Sequence, residues 1–181
     1  PCAAMAPKPQ APDPDDKDWT WVLTQPCREC GFDATTIRPK RLAEAVRETA
    51  SRWPAVLVQP AVAERPSPKV WSPLEYACHV RDVMRLFAQR IELMLAEDDP
   101  VFANWDQDET ARSERYWDED PATVAKQIGK AGEALAQVFE RVSKEDWQRP
   151  GTRSNGSQFT IASIGIYALH DLRHHVWDVR G

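Results

Sequence analysis

The sequence predicts an all-α protein, a four-helix bundle with up-down-down-up connectivity. Three observations predict it. Four stretches carry apolar residues at helical spacing, bounded by start or stop signals. Strand signal is confined to a small hairpin around Asn155 and Gly156. The link between the second and third helices, residues 98–119, is far longer than an antiparallel helix pair needs.

Taken in order, residues 1–18 are rich in Pro, Ala and Asp without an apolar pattern and read as a disordered tail. Residues 19–37 form a short non-helical segment around Cys27-x-x-Cys30, and residues 38–181 form the bundle. The first helix runs roughly 39–58 on a stripe of Leu42, Val46, Trp53 and Leu57, with Pro54 kinking it. The second starts at Ser72 as N-cap, with Pro73 at the first position and Glu75 closing a capping box, and reaches about Glu97. The third runs from Pro121 to about Ser143; Gly129 and Gly132 either weaken it or admit a close neighbour. The fourth runs from about Thr160 to about Val179. A short link between helices two and three would leave helices two and four parallel, whereas a long crossover permits them to run antiparallel.

A chain of 181 residues suits one hydrophobic core. Its net charge of −5 opposes binding to nucleic acid or an anionic membrane. No apolar run is long enough to span a bilayer and no leader-like segment opens the chain, so a cytoplasmic protein is expected.

Three of the four histidines fall within "IYALHDLRHH", residues 166–175. At about 100° per residue, His170 and His174 share a face of helix four with Tyr167, while His175 lies about 140° from His170 and is expected to point elsewhere. His79 on helix two shares a face with Tyr76, Val83 and Phe87. His79 is about 9 Å into its helix and His174 about 8 Å from the end of its own, so antiparallel helices bring them level. Three neutral imidazoles, His79, His170 and His174, then suit Zn²⁺, with Ni²⁺, Fe²⁺ or Mn²⁺ as alternatives, and leave a coordination position open. Asp82 and Asp178 are candidate acceptors that orient the rings, or else plain surface carboxylates. The competing reading is an H-x-x-x-H that only favours a helix terminus.

"WSPLEYACHVRDVMRLFAQRI" together with "FTIASIGIYALHDLRHHVWDV" resembles the DinB/YfiT-like superfamily of four-helix metalloproteins over roughly residues 38–180. The resemblance implies the up-down-down-up bundle and places three metal ligands on His79, His170 and His174. It also implies metal-dependent chemistry on a low-molecular-weight thiol such as mycothiol, by S-transfer or isomerisation, with the thiol bound as thiolate and attacking a small electrophile. Tyr167 and Asp106 are then candidate catalytic groups, and Trp105 and Tyr76 candidate pocket walls. Tyr167 reads equally as core packing and Asp106 as a solvated loop acid. Metal-dependent hydrolysis and non-catalytic binding of a metal or small ligand are the alternatives. A homodimer stays open.

Cys27 and Cys30, in "CRECGFD", have the Cys-x-x-Cys-Gly form of half a zinc knuckle. With no second C-x-x-C in the chain, a second metal site, a redox or disulfide pair and an inert pair all remain. Cys78 reads as a buried small residue.

Overall fold

Ser72 accepts the Glu75 N–H at 3.2 Å while the Glu75 carboxylate accepts the Ser72 N–H at 2.9 Å. This reciprocal cap, with Pro73 behind it, starts α3 (Pro73–Ala96), the longest helix. The computed structural model describes Pro9 and residues 18–181; the expected disordered tail otherwise lies outside the described residues.

The first predicted helix is divided into α1 (Leu42–Ala50) and α2 (Trp53–Leu57). Pro54 has no N–H for the Ala50 carbonyl and its ring crowds that turn, so the helix stops and restarts rather than bending. The crossover holds β1 (Val101–Phe102), α4 (Gln107–Ser113) and a 3₁₀ turn at Tyr116–Asp118, so the long connection carries structure of its own. Asp120 accepts the Thr123 N–H at 2.8 Å and opens α5 (Pro121–Arg141). A hairpin of β2 (Pro150–Arg153) and β3 (Gln158–Thr160) leads into α6 (Ile161–Asp178), capped reciprocally by Thr160 and Ser163. β1 joins the hairpin edge in parallel, giving a sheet of order β1-β2-β3.

Residue pairs give the direction of each helix. His79 meets His175 with ring centroids 4.8 Å apart and Phe87 meets Tyr167 at 6.0 Å, so α3 and α6 are antiparallel. Arg81 donates to Gln127 and Arg141 donates to Glu92, both at 2.7 Å, so α3 and α5 run parallel. Arg47 on α1 donates to Glu133 and Glu140 of α5 while Ala50 packs on Gly132, an antiparallel pair. Leu42 sits on Gly165 and Glu48 near Arg173, making α1 and α6 parallel. This is the up-down-down-up bundle. Its core includes Trp53, Leu74, Met84, Ile91, Leu135 and Leu169, all essentially buried. No helix among the described residues is long and apolar enough to cross a membrane.

Candidate metal centre

The C-terminal turns of α6 lie level with the N-terminal turns of α3, and α6 presents two ligand stripes there, offset by one residue. Asp171 and His175 face α3; His170 and His174 face the N-terminal segment. Each pair is spaced i, i+4, so both members of a pair project from one face.

The first stripe completes a cluster with His79. Asp171 Oδ1 lies 3.3 Å from His79 Nε2 and 3.6 Å from His175 Nε2. Nitrogen and oxygen donors sharing a tetrahedral ion would stand about 3.4 Å apart. His79 is only 1% exposed, and neither its ring nitrogens nor Asp171 Oδ1 has a hydrogen-bond partner. Buried polar atoms without partners are costly, and a shared cation would satisfy them together. The residues therefore fit a divalent ion. His175 Nδ1–H donates to Asp178 Oδ2 at 2.7 Å, which makes Nε2 the ring nitrogen able to ligate through its lone pair. Burial works to raise the Asp171 carboxyl, but the His79 and His175 rings hold it down, at about 2.

Aromatic rings wall this cluster. Trp105 stacks on His79 at 5.4 Å and 12°, its indole N–H donating to Thr110 Oγ1 at 2.8 Å. Tyr76 lies 5.0 Å from His175. A cavity of about 580 Å³ opens onto Asp171 and His175, lined also by Tyr76, Trp105, Tyr167 and Arg153.

The second stripe stands against Cys27 and Cys30. Cys27 N–H donates to the Phe32 carbonyl at 2.8 Å and Gly31 N–H to the Cys27 carbonyl at 3.0 Å. Gly31 has φ +73°, a left-handed conformation that makes glycine the natural residue for the tight turn. Cys27 Sγ comes 3.7 Å from His174 Nδ1, and all four ligand atoms lie within 4.8 Å of one another. Trp19 packs on both imidazoles and Phe32 on His170. Burial, with His174 adding to it, pushes His170 down to about 4; burial also lowers His174 and pushes Cys30 up to about 11.

The sequence groups His79 with His170 and His174; in the structure His79 stands with Asp171 and His175, and His170 and His174 stand with Cys27 and Cys30. His175, expected to point away, faces His79 edge-on. Asp82, expected to orient His79, is instead gripped by Arg81 at 2.8 and 2.9 Å, by Arg85 at 2.9 Å and by the Tyr116 hydroxyl at 2.6 Å. Asp178 sits between the clusters, 3.8 Å from His174 Nε2 as well as bonded to His175. Asp106 lines the cavity and caps α4 by accepting the Glu109 N–H at 2.8 Å. Tyr76, Trp105 and Tyr167 line the cavity too, and burial raises the Tyr167 hydroxyl. Asp171, His175 and Arg153 were not singled out from the sequence as site residues, although Asp171 and His175 repeat the i, i+4 spacing one residue later.

A model of the DinB superfamily matches residues 44–179. A solved structure described as "YfiT from Bacillus subtilis is a probable metal-dependent hydrolase with an unusual four-helix bundle topology" aligns with a TM-score of 0.68 at 13% identity, covering 77% of this chain and 82% of that one. At that identity the likeness is one of fold. No curated protein matches.

Proposed function

This chain belongs to the DinB superfamily, and from that premise we propose that it is a metal-dependent hydrolase acting at the His79, Asp171 and His175 cluster. The observation that carries the reading is the convergence of the buried His79 ring and Asp171 Oδ1 with His175 Nε2 at the edge of an open cavity. A divalent ion held there supplies Lewis-acid polarisation and a nucleophile available near neutral pH. One carboxylate among the three donors makes the site harder than three imidazoles would, which favours an oxygen nucleophile over a thiolate. The description of the Bacillus subtilis fold relative as a probable metal-dependent hydrolase supports the same reading.

The protein's own groups prepare the site. Asp178 fixes the His175 tautomer through the 2.7 Å bond to Nδ1. Trp105 covers the His79 ring and keeps water off it. Arg153, braced by Asn155 at 3.0 Å and Ser157 at 3.1 Å, offers a fixed positive charge for an anionic part of the substrate. Tyr167 lines the same cavity, and its hydroxyl can donate to a substrate oxygen. Asp106 acts through α4, positioning Trp105.

Thiol transfer is the second reading, favoured by the polar cavity, whose carboxylates and Arg153 suit a hydroxyl-rich cosubstrate. The test is a panel of small esters, amides and lactams with purified, metal-loaded protein, with and without an added low-molecular-weight thiol. Turnover without thiol that disappears in His79→Ala and Asp171→Ala is the expected result. Product formed only when thiol is present would replace hydrolysis with S-transfer, and turnover undiminished in both variants would remove the cluster from the chemistry.

A further inference from the structure

We propose that Cys27, Cys30, His170 and His174 form a second, closed zinc site that fastens the N-terminal segment to α6. This site is separate from the centre proposed for catalysis. It is built from four protein donors, two sulfurs and two imidazole nitrogens, the complement that fills a tetrahedral zinc completely.

The geometry supports this on several counts. A sulfur and a nitrogen on one tetrahedral zinc stand about 3.6 Å apart, and Cys27 Sγ and His174 Nδ1 are 3.7 Å apart. His170 Nε2 is buried without a hydrogen-bond partner in a residue only 3% exposed. Cys27 is 2% exposed and His174 7%, so with His170 three of the four donors are withdrawn from solvent, and Cys30 is half-buried. Both cysteines are free thiols, and the Gly31 turn already aims them at α6. On the far side of His174, Nε2 lies 3.3 Å from Glu29 and 3.8 Å from Asp178, the carboxylate support a ligating imidazole commonly has. Two thiols give up their protons on binding and the two imidazoles ligate as neutral rings, so the ion's charge is balanced within the cluster.

The cysteines lie upstream of residues 44–179 while His170 and His174 lie within them, so only the cysteine half of this site falls outside the region matched by the family model. Its effect reaches the cavity. Trp19 packs on His170 and His174, and Asp18, Trp19 and Glu29 form part of the cavity wall. The closed site therefore holds one wall of the cavity in place without contributing to the chemistry.

The test uses the full chain loaded with cobalt(II) as a spectroscopic stand-in and, separately, assayed for zinc. Cobalt-loaded wild type should show thiolate-to-cobalt charge-transfer absorption. That band should persist in His79→Ala and vanish in Cys27→Ser and Cys30→Ser, with about one equivalent of zinc lost from each cysteine variant. Absence of the band in cobalt-saturated wild type, or undiminished zinc in the cysteine variants, overturns the proposal. If the serine variants do not fold, the wild-type spectrum beside that of His79→Ala still decides. Neither readout depends on turnover, so failure of the hydrolase reading leaves this result intact.

Discussion

Asp178 serves two rings from one carboxylate. Oδ2 accepts the His175 Nδ1–H at 2.7 Å, while Oδ1 lies 3.8 Å from His174 Nε2. The strong bond is the one to His175, so removing the carboxylate should free that ring to rotate and to exchange tautomers. Asp178→Ala is expected to weaken metal binding at the His79 cluster by about 10–100-fold, read by competition against a chromophoric chelator. Unchanged affinity would mean that ring packing, against Tyr76 and His79, suffices to orient His175. At this scale the sequence was half legible. The histidines and Asp178 stand out by type and spacing, and the antiparallel register brings His79 level with the end of α6. The wheel could not show which of two offset stripes faces α3. The ambiguity disappears only once residues 19–37 are seen to pack on α6, where they cover His170 and His174. A sequence segment with no apolar periodicity gives no sign of where it docks.

The helices show how neighbouring glycines differ in consequence. Gly129 and Gly132 are equally anomalous within α5, yet a Cβ at Gly129 would meet nothing within 4 Å, whereas one at Gly132 would lie 2.7 Å from Ala50 Cβ on α1. Gly129→Ala should therefore stabilise the protein by roughly 0.5–1 kcal/mol through helix propensity. Gly132→Ala should destabilise it by about 1–3 kcal/mol, because Ala50 Cβ cannot move without its backbone. Urea unfolding of both variants checks the opposite signs. The same interface carries Arg47, which donates to Glu133 at 2.7 and 2.9 Å and to Glu140 at 2.6 Å. Hydrogen bonds from Arg47 lower the Glu133 carboxyl from its ordinary 4.5 to about 2. A depressed carboxylate stabilises the fold above its unfolded value and loses that contribution as pH falls through the folded one. The melting-temperature gap between wild type and Arg47→Ala should thus be full above pH 4.5 and close progressively towards pH 2. High salt should narrow it at neutral pH, since these side chains are exposed. Capping residues were the most legible feature at this scale: Ser72, Asp120 and Thr160 each start the helix that their sequence announces.

Across the whole molecule, the crossover between α3 and α5 ties topology to chemistry. It lets α6 return antiparallel to α3, which brings His79 to Asp171 and His175, and it carries Trp105 back over His79. Both ligand clusters consequently sit at one end of the bundle, while the apolar core runs its length through Leu74, Met84, Ile91, Leu135 and Leu169. That separation predicts how the protein responds to metal removal. The four helices bury their apolar faces on one another without any contribution from an ion, so a chelator should leave the far-UV helical signal at 25 °C intact. Bound metal still adds stability by mass action, about 2.7 kcal/mol at free zinc a hundred times its dissociation constant. For a chain of this size each emptied site corresponds to a fall in melting temperature of roughly 5–10 °C, and emptying both to about twice that. Hydrogen exchange should place the loosening in residues 19–37 and at the C-terminal turns of α6, with α3 and α5 protected at mid-length. Collapse of helicity on chelation would mean that the core depends on the ions. An unchanged melting temperature and exchange pattern would mean that neither cluster holds metal, because a ligand bound only to the folded state cannot leave without cost to stability.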